Sequence, residues 1–126
     1  MVQKVTDRRV LIVDDHPEMV DLLASRLRDK DWTVVSATGG REAIAKMDRA
    51  LPDVVVTDLK MEETDGMDVM NQALRRDPDL PVIVITAFGD IESAVDAIKA
   101  GGFHYMSKPF DFDELYVYLE RALEHR

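Results

Sequence analysis

The stretch Arg9-Val10-Leu11-Ile12-Val13-Asp14-Asp15-His16-Pro17 decides how the rest of the chain is read. Residues 10–13 form a short apolar run, mostly β-branched and bounded by polar residues, as expected of a strand buried on both faces. Pro17 suits the first turn of a helix, and Met19, Leu22, Leu23 and Leu27 recur at helical spacing on one expected face. The same strand-then-helix grammar repeats outward. Thr33-Val34-Val35-Ser36-Ala37 reads as a half-exposed strand, broken by Thr38-Gly39-Gly40 and followed by a helix carrying Ala43, Ile44 and Met47 that stops before Pro52. Val54-Val55-Val56-Thr57 is a third strand ending on Asp58. A loop through Gly66 then leads to a helix with Met67, Met70, Ala73 and Leu74, terminated near Asp77-Pro78.

Val82-Ile83-Val84-Ile85-Thr86 is the fourth strand. After Gly89-Asp90, a fourth helix is expected to turn Ile91, Ala94, Val95 and Ile98 inward and to close at Gly101-Gly102. Residues 104–107 make a short fifth strand, and Asp111 is placed to cap a last helix with Phe112, Leu115, Tyr116, Leu119 and Leu123 on its inner stripe. Five β-then-α units predict an all-parallel sheet with helices on both faces. Right-handed crossovers leave few arrangements, and the natural one at this length is a flavodoxin-like (βα)5 three-layer sandwich with strand order 2-1-3-4-5. The 126 residues are expected to form a single domain, with its core over about residues 9–123.

Composition narrows the function classes. Hydrophobic residues make up 46% and charged residues 33%, which excludes a disordered or membrane-embedded chain. The longest apolar run, residues 115–119, is far short of the ~20 residues a spanning helix needs. Residues 1–7 lack the apolar stretch of a secretory signal, so the expected location is cytoplasmic. Cysteine is absent, which removes disulfides, thiol nucleophiles and Cys-based metal sites. His16, His104 and His125 show no metal-ligand spacing, which argues against a histidine-built metal site. With 16 Lys and Arg against 25 Asp and Glu, the net charge of −9 disfavours nucleic-acid binding by this domain alone.

In an open α/β sheet, ligands bind beyond the carboxyl ends of the strands near the topological switch point. There the first strand delivers Asp14-Asp15, the third Asp58, the fourth Thr86 and the fifth Lys108 followed by Pro109. Three carboxylates converging in one crevice repel one another unless a cation joins them. An all-oxygen donor set suits Mg²⁺, and an ammonium and a hydroxyl beside it match the oxygens of a phosphoryl group. The inference is a pocket for phosphoryl transfer onto a carboxylate. Each residue alone has a blander reading: Asp14-Asp15 as helix caps, Asp58 as a loop acid, Lys108 as a solvated turn lysine, Thr86 as a strand end. A single fold that gathers all of them is far more specific than any one.

On these residues the chain resembles the receiver domains of two-component response regulators, from about Arg9 to Leu123. The resemblance rests on Val13-Asp14-Asp15, on Asp58-Leu59-Lys60-Met61 with Gly66 following, on Thr86-Ala87 and on Lys108-Pro109-Phe110. It implies that Asp58 takes a phosphoryl group from a phosphohistidine on a sensor kinase or phosphotransfer protein. It also implies that Asp15, Asp58 and the backbone carbonyl of Lys60 ligate Mg²⁺, with Asp14 acting mostly through water. Thr86 and Lys108 would bind phosphate oxygens, and the small Ala87 would leave the approach open. Tyr105 falls at the family's switch aromatic and would turn inward as Thr86 moves toward the phosphate. Such a domain assists only its own phosphorylation and dephosphorylation.

Three positions depart from the common pattern: Glu62-Glu63 where many relatives have proline after the methionine, His104 where many carry an acid, and Ser107 where proline or alanine is frequent. The simplest reading of His104 is an exposed strand residue. Lys60 and Phe88, two residues beyond Asp58 and Thr86, are placed to shield the phosphoryl group from water. Val117 and Tyr118 lie off the inner stripe of the last helix, which suggests a dimer or effector face made of the fourth helix, fifth strand and fifth helix. The segment from Thr86 to Val95 looks most like receivers of transcriptional activators that work with alternative-sigma-factor polymerase, proteins that carry ATPase and DNA-binding output domains. Rival readings are an aspartyl-phosphate phosphohydrolase of the haloacid-dehalogenase type, a flavin or nucleotide module, and a pseudo-receiver that binds partners without phosphorylation. The first would want an Asp where Lys60 stands; the second would want small residues where Asp14-Asp15-His16-Pro17-Glu18 stands.

Overall fold

The computed structural model describes residues 8–61, 65–87 and 89–124. Its elements alternate without exception: β1 (Arg9–Val13), α1 (Pro17–Arg28), β2 (Thr33–Ala37), α2 (Gly40–Ala50), β3 (Val54–Asp58), α3 (Gly66–Arg76), β4 (Val82–Thr86), α4 (Ile91–Lys99), β5 (His104–Ser107) and α5 (Phe112–Glu124). The strands form one parallel sheet of order β2-β1-β3-β4-β5, as expected from the right-handed crossover rule.

Alternation along β1 sends Val10 and Ile12 to one face of the sheet and Leu11 and Val13 to the other. The first face packs on α1 and α5 through Leu23, Leu27, Leu115 and Leu119, the second on α2 and α3 through Met47, Val69, Met70 and Ala73. Both faces of β3 and β4 are covered, which is why Val54–Asp58 and Val82–Thr86 are buried along their whole length. At the amino end of β2, the single tryptophan, Trp32, is buried beneath α5. Its indole N–H donates to the Tyr116 hydroxyl at 3.2 Å, and Arg8 donates to the same oxygen at 3.2 Å.

Two helices present faces other than those expected. In α1 the buried stripe is Val20, Leu23, Ala24 and Leu27, whereas Leu22 is 56% exposed and Met19 only half-buried. Leu23 and Leu27 set the phase, and Leu22 lies a full 100° around the helix from Leu23. In α4 the expected inward set is largely reversed. Ala94 and Ala97 are the buried residues, and Ile91, Val95 and Ile98 face outward at 64%, 40% and 37% exposure. Small alanines let α4 lie close against β4 and β5, and that close contact outweighs the larger apolar side chains in choosing the face.

Candidate functional site

The strand register creates the site. Val13 pairs with Thr57, so Asp14 and Asp58 leave adjacent strands one residue further on. Asp58 pairs with Ile85, and Thr86 with Ser107, which brings the end of β4 and the residue after β5 to the same rim. Asp14, Asp15, His16 and Asp58 each offer a ligand atom within 4.8 Å of the others. Lys108 closes the group, its Nζ 3.1 Å from Asp14 Oδ2 and 3.2 Å from Asp58 Oδ2. The convergence of Asp14, Asp15, Asp58 and Lys108 expected from sequence is therefore present.

Local backbone holds these groups. The Leu59 amide donates to the Ile85 carbonyl at 2.9 Å and the Gly66 amide to the Leu59 carbonyl at 2.9 Å, pinning the segment after Asp58 to β4 and to the start of α3. Gly66 comes so close that a Cβ there would lie 2.1 Å from the Asp58 carbonyl oxygen. Asp65 caps α3 by accepting from the Asp68 amide. The Lys108 amide donates to the Thr86 carbonyl at 2.8 Å, and the Lys108–Pro109 peptide is cis.

Burial pushes the Asp58 carboxyl above its ordinary range, and the negative charge of Asp14 adds to this; Lys108 works in the opposite direction. For Lys108, burial alone would favour the neutral amine, but Asp14 and Asp58 outweigh it and hold the ammonium above its ordinary value. One lysine does not satisfy the cluster. Among the described residues Asp15 Oδ1 is buried without a hydrogen-bond partner, with His16 Nδ1 at ion-pair distance, 3.2 Å. Three carboxylates, one of them with an unpartnered buried oxygen, make a donor set that fits a hard divalent cation such as Mg²⁺. A cleft of about 640 Å³ lined by Asp15, Pro17, Thr38, Arg41 and Met61 opens beside it to solvent.

The other predicted residues are more dispersed. Thr86 is buried at the rim with its hydroxyl donating to the Met106 carbonyl at 3.4 Å, and Tyr105 faces outward at 37% exposure. The Lys60 side chain is exposed, and its amide donates to Asp58 Oδ1 at 3.4 Å. Glu62, Glu63, Phe88 and His125 lie outside the described residues.

Sequence spacing missed one residue of the cluster and misread a histidine outside it. His16 stands directly after the acid pair, its backbone amide 3.0 Å and its Nδ1 2.8 Å from Asp14 Oδ1. Asp14 draws the imidazole pKa upward through that contact. The only signal was adjacency in the chain, since its partners Asp14 and Asp15 immediately precede it, while the cluster's third carboxylate, Asp58, arrives from a different strand. His104, expected to be exposed, is half-buried with its ring stacked on Tyr118 at 3.8 Å between centroids. That burial lowers its pKa.

Fold and pocket together define an α/β protein whose sheet presents carboxylates and a lysine to an anionic group at its carboxyl rim. The chain belongs to the response regulator receiver domain family, whose model matches residues 10–120. It is thus a receiver domain of two-component response regulators, a signalling domain, and the phosphohydrolase and flavin readings give way to that assignment. Transcriptional regulatory protein GlrR of Escherichia coli strain K12 is 40% identical over 115 residues, covering 91% of this chain and 26% of that protein. Probable transcriptional regulatory protein TcrX of Mycobacterium tuberculosis is 38% identical over 117 residues, covering 93% of this chain and 50% of that protein. The crystal structure of the receiver domain of NtrX from Brucella abortus superposes with a TM-score of 0.84 at 34% identity, covering 91% of this chain and 98% of that one. The chain spans only about a quarter of the length of relatives such as GlrR. Among the described residues no helix is long and apolar enough to cross a membrane.

Proposed function

We propose that Asp58 is the phosphoacceptor of this domain. A carboxylate oxygen of Asp58 attacks the phosphorus of a phosphohistidine on a sensor kinase or phosphotransfer protein. The P–N bond breaks, and the imidazole leaves with its electron pair. The observation that carries this reading is the Lys108 ammonium held between Asp14 and Asp58, where it can follow charge onto the transferring group's oxygens. Asp15, Asp58 and the carbonyl of Lys60 would hold Mg²⁺, with Asp14 contacting it mostly through water. Bound there, the ion would screen the anionic nucleophile from an anionic donor. Thr86 would turn its hydroxyl from Met106 to the phosphoryl oxygens, giving Tyr105 room to swing inward. Beyond assisting the gain and loss of its own phosphoryl group, the domain has no catalytic task. Incubation with acetyl phosphate and Mg²⁺ should add one phosphoryl mass to the wild type and none to Asp58→Ala. Equal labelling of both would overturn the assignment, and an unlabelled wild type would favour a pseudo-receiver.

The output surface is read as the flank formed by α4, β5 and α5. Ile91, Val95, Ile98, Tyr105 and Val117 are all exposed there, an apolar set suited to a second copy or an effector. Likeness to transcriptional regulatory proteins supports control of transcription through output domains beyond this chain, in a cytoplasmic regulator of the alternative-sigma-factor type. Val117→Lys should reduce self-association in sedimentation runs with a phosphate mimic; unchanged association argues against this face.

A further inference from the structure

Four ligand-bearing residues meet at the sheet rim, and one of them is a nitrogen donor. His16 Nδ1 lies 2.8 Å from Asp14 Oδ1 and 3.2 Å from Asp15 Oδ1, within the same 4.8 Å cluster that includes Asp58. Its place is fixed from two sides. The His16 amide is tied to Asp14 Oδ1, and its carbonyl accepts from the Met19 and Val20 amides at the start of α1, so the residue is anchored where strand turns to helix. The ring itself makes no helix-capping bond, and its side chain is 68% exposed. Nothing in the core requires an imidazole here.

Carboxylate oxygens alone favour hard ions, whereas an imidazole nitrogen shifts a site toward borderline first-row cations. We propose that His16 Nδ1 is a ligand to the divalent ion in the Asp14–Asp15–Asp58 pocket, giving the pocket a selective gain in affinity for cations such as Zn²⁺ over Mg²⁺. Nδ1 lies 2.8 Å from Asp14 Oδ1, so the ring nitrogen already stands among the oxygens that would surround the ion. A neutral imidazole with its one ring proton on Nε2 would offer the Nδ1 lone pair to the metal. The Asp15 oxygen that lacks a hydrogen-bond partner among the described residues is the one 3.2 Å from His16 Nδ1. The open cleft lined by Asp15, Pro17, Thr38 and Met61 supplies an entry path.

The inference rests on the pocket being a divalent-cation site, and the test separates the two ideas. Calorimetric titration of the whole chain with MgCl₂ and with ZnCl₂, at a pH where the imidazole is neutral, gives an affinity for each metal. His16→Ala, a change at an exposed ring, is the comparison. His16→Ala should weaken Zn²⁺ by about tenfold or more and leave Mg²⁺ within about twofold. Nitrogen-15 spectra of the wild type should show the His16 Nδ1 resonance shifting on Zn²⁺ addition, and excess Mg²⁺ should reverse that shift. An unchanged Zn²⁺ to Mg²⁺ affinity ratio in His16→Ala, or an unmoved His16 Nδ1 resonance, overturns the role of His16 alone. If neither metal binds the wild type, the cation-site reading fails and takes this one with it.

Discussion

The rim of the sheet and its α4 flank obey different rules. At the rim, each functional group is placed by the backbone: a strand ends, the next residue points into the crevice, and register with the neighbouring strand fixes what it meets. At the flank, which residues face inward depends on how closely a helix can approach, a property of the smallest side chains and not of the most apolar ones. Chemistry set by register is therefore readable from strand ends, whereas a helix face is decided by packing partners far away in the chain.

The largest expected effect tests the rim. Gly66→Ala would drive a methyl group to 2.1 Å from the Asp58 carbonyl oxygen, with backbone on both sides and no flexible side chain to yield. It should cost more than about 3 kcal/mol in urea unfolding and abolish acetyl-phosphate labelling, because relief requires the segment after Asp58 to move. A variant that folds and labels like wild type would show that register does not hold the nucleophile.

The next contrast breaks or sharpens the account of the flank. Ala97→Leu forces bulk between α4 and the sheet and should destabilise by about 1–3 kcal/mol, whereas Ile91→Lys, on the outward stripe, should change stability by no more than about 0.5 kcal/mol. The opposite ranking in denaturant titrations would restore the inward face expected from sequence.

The smallest effect concerns charge at the rim. Asp58 has its pKa raised in the folded state, so between the unfolded and folded values the native protein binds more protons than the unfolded chain. Stability thus falls as pH rises through that window. In metal-free protein, Asp58→Asn should be more stable than wild type near neutral pH by about 1 kcal/mol. The gain should vanish below the ordinary carboxylate value of about 4. A variant less stable than wild type at neutral pH would mean that the bond to Lys108 outweighs burial and repulsion by Asp14.

Much of the molecule was legible in its amino-acid order. The runs at Val10, Val54 and Val82 became the three central strands, and Asp14, Asp58 and Lys108 met where the strand order places them. Leu22 and the α4 stripe misled because apolar spacing shows that a helix has a greasy side, not that this side is the one covered. His16 escaped because ligand-spacing rules look for repeats along one chain segment, while this cluster draws its last carboxylate from β3. The stack of His104 on Tyr118 joins a strand to a helix across a loop, a contact no local pattern encodes.

The position of Trp32 gives the protein a built-in optical gauge. The lone indole sits at the pole opposite the acidic cluster, clasped to Tyr116 on the last helix. Its emission reports whether α5 is seated, and local chemistry at Asp58 is out of its direct reach. A change in that emission when phosphate analogue is added would therefore record a shift of α5 and not chemistry beside the indole.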